Sequence, residues 1–317
     1  MKESFPRNQS QGKLYLLDLF GGFIVVTIWG ANFTFMKMGL LELDPFVLGA
    51  FRYSLTAFPA VFFVKRPEIE SRYLIAYGLF VGLGQFGCLF YALKIGLPAS
   101  IASVLLQTQA FMTCILAFFF LKEKISRIQI TGLAIAIMGL LFIVSAKTPL
   151  GDPEISRTAV VLTLCAAFSW AMSNIVVKLA VSQASEKNVC LNMFGFIVWS
   201  SMVPPVPFFL LAFFTAPFTI VVDSIINISR LSLAVIFYNA FLATLFGFCF
   251  WSKLLSRYPA AQVAPFSLLI PVTALATARM ILNELPSTAQ WLGCAAIFCG
   301  LAVNVFFQSR EGQTTQR

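Results

Sequence analysis

Ten apolar runs follow one another along the chain, at roughly 15 to 38, 45 to 64, 73 to 93, 97 to 121, 128 to 145, 158 to 181, 188 to 213, 231 to 252, 259 to 281 and 288 to 307, and most of the charge lies between them. A helix of about 20 residues crosses the hydrocarbon core, and helices satisfy their own backbone polar groups there. The runs therefore predict an all-α integral membrane protein with ten transmembrane helices. Composition agrees, since 59% of the 317 residues are hydrophobic and only 11% are charged, whereas soluble domains carry about 25% charged residues. The short connections leave no room for a water-soluble domain. The chain has no histidine, which excludes His-based acid–base chemistry and His metal ligands. No cofactor is expected. The seven cysteines all fall in apolar stretches without a C-x-x-C pair and read as small core residues.

Basic residues in short loops stay on the cytoplasmic side. With ten crossings, fourteen Lys and Arg share the side of the two tails, among them Lys65, Arg66, Lys122 and Lys124, against four (Lys94, Lys147, Arg157 and Arg230) on the other. Both termini are thus predicted to be cytoplasmic. The first run follows fourteen mostly polar residues with no small-residue cleavage site and reads as a retained helix. The net charge of +9 belongs to loops facing anionic lipid, so the partners expected are the bilayer and a small-molecule substrate, with no nucleic acid. Monomer and homodimer are both left open.

The chain also repeats itself. At a constant offset of 161, Cys88 matches Cys249, Pro98 matches Pro259, Glu123 matches Glu284, Gly132 matches Gly293 and Gly139 matches Gly300. At a second offset, 141, Trp29 matches Trp170 and Lys37 matches Lys178, with Asn32 and Asn174 between them. The predicted organisation is a tail at 1–14, a first five-helix repeat at 15–145, a periplasmic linker at 146–157, a second repeat at 158–307 and a tail at 308–317. Because five is odd, the second half enters from the opposite face, giving two inverted five-helix repeats, the architecture of alternating-access carriers.

Charge inside a bilayer is costly and usually functional. Lys37, Lys178 and Arg279 lie near helix ends and can snorkel, but Arg52 is seven residues into the second run, roughly 10 Å deep. It is the leading candidate for an anion contact. Asp18 is the only carboxylate within a run, near its end, which favours substrates bearing an anionic group over lipophilic cations. Aromatic faces at Trp29, Trp170, Tyr53, Tyr91, Tyr238 and Trp251 are candidates to hold an ammonium on the same substrate. Asn32, Gln107, Gln109, Asn174 and Ser267 complete the candidate substrate-binding set. Such polar residues either line a path or bond neighbouring helices.

These features resemble the EamA-type drug/metabolite transporter family. The resemblance rests on Trp29-Gly-Ala-Asn-Phe33 with Lys37, Ala167-Phe-Ser-Trp-Ala171, and the Leu-x-Glu motif ending at Glu123, and it spans nearly the whole chain. The stretches Leu106 to Phe111, Val263 to Val272 and Phe51-Arg52 are narrower likenesses to the amino-acid metabolite exporters of that family. The likeness implies a bacterial inner-membrane exporter of cysteine-pathway amino acids such as cysteine and O-acetylserine, and no enzymatic activity. Where the family ends its fourth helix with a Gly-Glu-Arg-like turn, this chain has Lys122-Glu123-Lys124. Two other readings remain open at this level: a multidrug or organic-cation exporter, and a membrane enzyme or non-transport subunit.

Overall fold

The computed structural model describes residues 15–97, 99–123, 125–145, 156–282 and 288–303. The predicted tails, Glu284 and most of the predicted linker lie outside the described residues. Among the described residues all regular structure is helical. Eight helices are long and apolar enough to cross a membrane: Leu16–Gly39, Pro45–Phe62, Ser71–Lys94, Ala102–Leu121, Arg157–Glu186, Met193–Thr215, Arg230–Arg257 and Ala264–Ile281. Two shorter apolar stretches, Ile130–Gly139 and Trp291–Gly300, occupy the places of the fifth and tenth runs. The chain is a multi-pass membrane protein.

Local sequence sets where these helices start and break. Asp44 precedes Pro45, and its Oδ1 accepts from the backbone N–H of Phe46 at 2.9 Å, a side-chain cap followed by a proline at the first helical position. Asn192 caps the next-half equivalent start in the same way, accepting from Phe194 N–H at 3.1 Å. The second run, expected to be continuous over 45–64, is instead an α-helix over Pro45–Ala57 followed by a short 3-10 turn at Ala60–Phe62. Pro59 has no N–H to continue the ladder. Pro265 acts similarly, and Ala264–Leu269 is 3-10 rather than α-helical. The segment between the seventh and eighth runs, expected to be a loop, contains the helix Phe218–Ile226.

Two breaks fall at matching places in the halves. Gly78–Gly87 within Ser71–Lys94, and Tyr238–Phe246 within Arg230–Arg257, are both π-helical. A π-segment widens a helix and is frequent at functional sites.

Many large apolar side chains point outward, including Phe119 at 71% and Phe214 at 85% exposure, as a lipid-facing surface requires. This corrects the expectation for the cysteines. Cys114 is buried, but Cys165, Cys190 and Cys299 are exposed and Cys88 and Cys249 are intermediate. An apolar run in a membrane protein is apolar on its lipid face too, so a cysteine within it need not face the core.

Close crossings replace hydrophobic driving force as the means of holding such helices together. Arg127–Ser145 and Thr288–Ala302 meet at paired glycines. A Cβ on Gly139 would lie 2.6 Å from the Gly293 carbonyl oxygen, and one on Gly300 would lie 2.5 Å from that of Gly132. The contact advances along one helix as it retreats along the other, so the two run in opposite senses.

Candidate functional site

Arg52 sits wholly buried between the two π-segments. Its Nε donates to Thr244 Oγ1 at 2.6 Å and its Nη1 donates to Asn239 Oδ1 at 3.1 Å, both from Tyr238–Phe246. From the other side, the Phe86 ring of Gly78–Gly87 lies 3.8 Å from the guanidinium carbon, a cation–π contact that offsets part of the desolvation. The third nitrogen, Nη2, has no hydrogen-bond partner, and no carboxylate among the described residues pairs with Arg52. The guanidinium is fixed in direction and still holds one nitrogen, Nη2, with its N–H donors unfilled.

Arg52 is among the residues lining a cavity of about 30 Å³, with Trp29, Asn32, Phe33, Met36, Gln85, Phe86, Leu89, Leu106, Trp170, Phe248 and Ile270. Trp29 forms one wall. Its indole N–H donates to the Ala243 carbonyl at 2.8 Å, its ring meets Trp170 edge-on with centroids 5.3 Å apart, and Trp251 packs behind it at 5.3 Å.

Four of the candidates read from sequence therefore come together here: Arg52, Trp29, Asn32 and Trp170. The others do not line this cavity. Tyr53 is buried beside Arg52, with its hydroxyl donating to the Val81 carbonyl at 3.3 Å. Tyr91 stacks on Phe46 at 5.9 Å, and the Tyr238 hydroxyl donates to the Ile28 carbonyl at 2.7 Å. Gln109, Asn174, Trp251 and Ser267 form a buried network behind the cavity. Gln109 Nε2 donates to Ser267, Asn174 Nδ2 to Thr113 at 3.1 Å, and Trp251 Nε1 to Asn174 Oδ1 at 2.9 Å. This network ties the fourth, sixth, eighth and ninth runs together. Gln107 Nε2 returns to the Ser103 carbonyl at 3.0 Å.

Lys178 goes elsewhere. Its ammonium donates to the Tyr258 carbonyl at 2.6 Å and pairs with Glu123 at 3.5 Å, while Glu123 also accepts from Ala260 N–H at 3.2 Å. Nearby, Asp18 accepts from the Tyr258 hydroxyl at 2.6 Å and meets Arg257 at 3.4 Å. These groups tie the first, fourth, sixth and eighth spans together, and Lys178, expected near a helix end, lies eight residues before the end of Arg157–Glu186. Lys37 is exposed in the last turn of Leu16–Gly39, and Arg279 is exposed near the end of its own helix.

At the loop after Leu16–Gly39, Glu42 accepts from the Ser229 hydroxyl and, at 2.6 Å, from the Ser232 hydroxyl. These two bonds hold its carboxyl below the ordinary carboxylate range. They link the first span to the start of the eighth beside a surface groove of about 350 Å³.

Sequence reasoning missed Gln85, Phe86, Asn239, Thr244 and Phe248. One signal was present. Gln85 is the sole amide in a run dense with glycine (Gly78, Gly82, Gly84 and Gly87), and glycine at that density marks close approach or irregular helix.

A family model described as the EamA-like transporter family matches residues 16–145 and again 157–306. The chain belongs to this family. As an EamA-like transporter it is a membrane carrier and not an enzyme. It is 40% identical to a "probable amino-acid metabolite efflux pump" of Salmonella typhimurium over 289 residues, covering 91% of this chain and 95% of that protein. A protein of the same name in Escherichia coli is 38% identical over 283 residues, 89% of this chain and 93% of the relative. At 24% identity, over 93% of the chain and 96% of the relative, stands a "probable terminal-alkyne amino-acid exporter" of Streptantibioticus cattleyicolor. A solved crystal structure shares the fold of this EamA-like transporter, with a TM-score of 0.71 at 15% identity over 93% of this chain and 98% of the other.

Proposed function

We propose that this transporter exports small zwitterionic or anionic metabolites, amino acids such as cysteine and O-acetylserine among them, across a bacterial inner membrane by alternating access. The observation that carries the reading is Arg52: a wholly buried guanidinium that lines a cavity, without a carboxylate partner among the described residues and with its Nη2 nitrogen unfilled. A buried charge is kept unpaired only at a cost, which an anionic ligand relieves. No Asp or Glu lines the cavity, which disfavours an organic cation as the cargo. The names of the relatives in Salmonella and Escherichia support an amino-acid metabolite.

In this reading the halves are inverted repeats and both termini are cytoplasmic. The reciprocal crossing of Gly139 on Gly293 and of Gly300 on Gly132 supports the inversion, because each contact maps onto the other under the 161-residue offset while the helices run antiparallel. So do the two π-segments, one in each half. A cavity of about 30 Å³ has room for water and not for an amino acid, which fits an occluded conformation between two access states.

Cells overproducing the protein are expected to accumulate cysteine and O-acetylserine in the medium, measured by mass spectrometry; an unchanged medium would overturn the substrate assignment. Reporter tags inserted after Leu121 and after Leu282 should appear on opposite faces of the bilayer. Tags on the same face would remove the inverted repeat.

A further inference from the structure

The cavity presents acceptors as well as donors. Among the described residues, seven buried side-chain polar atoms lack a hydrogen-bond partner, and four of them belong to residues lining this one cavity: Arg52 Nη2, Trp170 Nε1, Asn32 Oδ1 and Gln85 Oε1. All four side chains are at least nine-tenths buried, Asn32 being the most exposed at 5%. Buried polar atoms are normally satisfied, and leaving one open is costly. Such a concentration at one void marks it as a place where a ligand, or water in its absence, completes the bonding.

The chemistry of the four atoms constrains that ligand. Arg52 Nη2 and Trp170 Nε1 can only donate, which suits a carboxylate. The carbonyl oxygens of Asn32 and Gln85 accept, and the amide nitrogen of Asn32 is already directed to Met36 Sδ at 3.3 Å. A purely anionic ligand would satisfy the two donors and leave both carbonyl oxygens facing negative charge. A purely cationic one would face an unpaired guanidinium. A group with a carboxylate and an ammonium close together satisfies all four.

We infer that Gln85 and Asn32 form an ammonium subsite opposite the Arg52–Trp170 carboxylate subsite, so that the transporter selects compounds with a free, protonated α-amino group and rejects their deaminated or N-acylated counterparts. This inference rests on the exporter reading above and adds to it the residues that set specificity. The two amides come from different spans, Leu16–Gly39 and Ser71–Lys94. The subsite is therefore complete only when those spans are held together at this level.

The test compares three thiol acids in proteoliposomes: L-cysteine, 3-mercaptopropionate, which lacks the amine, and N-acetyl-L-cysteine, whose amine is no longer basic. Wild-type protein is expected to release L-cysteine at least about tenfold faster than either analogue, since a hydrogen bond to a charged group is worth more than one factor of ten. Gln85→Met, which conserves volume, is expected to lower that ratio about tenfold by slowing cysteine while leaving the analogues unchanged. Equal release of all three by the wild type would overturn the ammonium subsite and leave the Arg52 anion site standing. Equal slowing of all three in Gln85→Met would also overturn it, assigning Gln85 a packing role. Release of none of the three would overturn the exporter reading itself, and this inference with it. The wild-type comparison needs no variant, so a Gln85→Met protein that fails to fold does not protect the proposal.

Discussion

Replacing Arg52 with methionine is expected to reduce export by about 30- to 4,000-fold while leaving the melting temperature of the purified protein within a few degrees of wild type. The two effects separate because the residue is energetically unlike its surroundings. For transport, removing one partner of a buried charge-assisted pair costs about 2–5 kcal/mol, and every 1.4 kcal/mol is tenfold. For stability, two opposing contributions meet. The change strands Thr244 Oγ1 and Asn239 Oδ1, which Arg52 now serves at 2.6 and 3.1 Å, at about 1–3 kcal/mol each. It also removes a buried charge that has no carboxylate partner among the described residues, and replacing buried ionic groups by apolar ones of similar volume is often neutral or stabilising by about 1–4 kcal/mol. Arg52→Lys keeps the charge but loses the planar fork that reaches Thr244, Asn239 and the cavity together, so it should fall between. Flux is measured in proteoliposomes and stability by thermal melting in detergent. Near-normal flux in Arg52→Met would take Arg52 out of the site; collapse of the fold with flux would make it a structural residue.

The sequence exposed the depth of Arg52 because helix geometry is regular: seven residues past the start of a spanning helix cannot reach the interface, whatever the tertiary structure. The same regularity located the apolar runs and the internal offset. It failed where helices depart from the α form. The glycines of Gly78 to Gly87 mark an irregular helix without fixing its kind, and Tyr238 to Phe246 carries no such mark, because the choice between α and π depends on what the neighbouring helix offers. Gln85, Asn239 and Thr244 were therefore invisible as a group, although Gln85 is the sole amide of the third run and Asn239 the sole amide of the eighth. Polar stripes were ambiguous for a related reason. Asn32 stands three residues after Trp29 and Asn174 four after Trp170, a step of about 100° around a helix, and Asn32 leaves an oxygen without a partner while Asn174 is consumed by Trp251 and Thr113. Sequence gives the position of a side chain, and only the packing of the other helices decides which bonds remain unfilled.

The largest expected structural effect lies one residue from Trp29. A Cβ on Gly30 would stand 1.9 Å from Thr273 Oγ1 and 2.7 Å from the backbone nitrogen of Ala274. The hydroxyl can rotate away, but it is held by the Val26 carbonyl at 3.0 Å across the interface, and the backbone cannot move without shifting Ile270–Leu282 as a body. Overpacking of this kind costs about 1–3 kcal/mol and sometimes more. Gly30→Ala is expected to lower the melting temperature measurably, and Gly30→Val to prevent accumulation of folded protein in the membrane. Adding Thr273→Ala to Gly30→Ala removes the nearest of three clashing atoms and should restore part of the loss, since coupled neighbours depart from additivity. Restoration cannot be complete, because the Ala274 nitrogen and the Cβ of residue 273, which alanine keeps, both remain at 2.7 Å. Because Trp29, Asn32 and Ile270 all line the cavity, separating these two helices widens the site as well as weakening the fold. The double variant should therefore recover stability further than it recovers selectivity between L-cysteine and 3-mercaptopropionate. Melting of Gly30→Ala at the wild-type temperature would show that the helices do not approach this closely, and would remove the geometry on which the cavity walls depend.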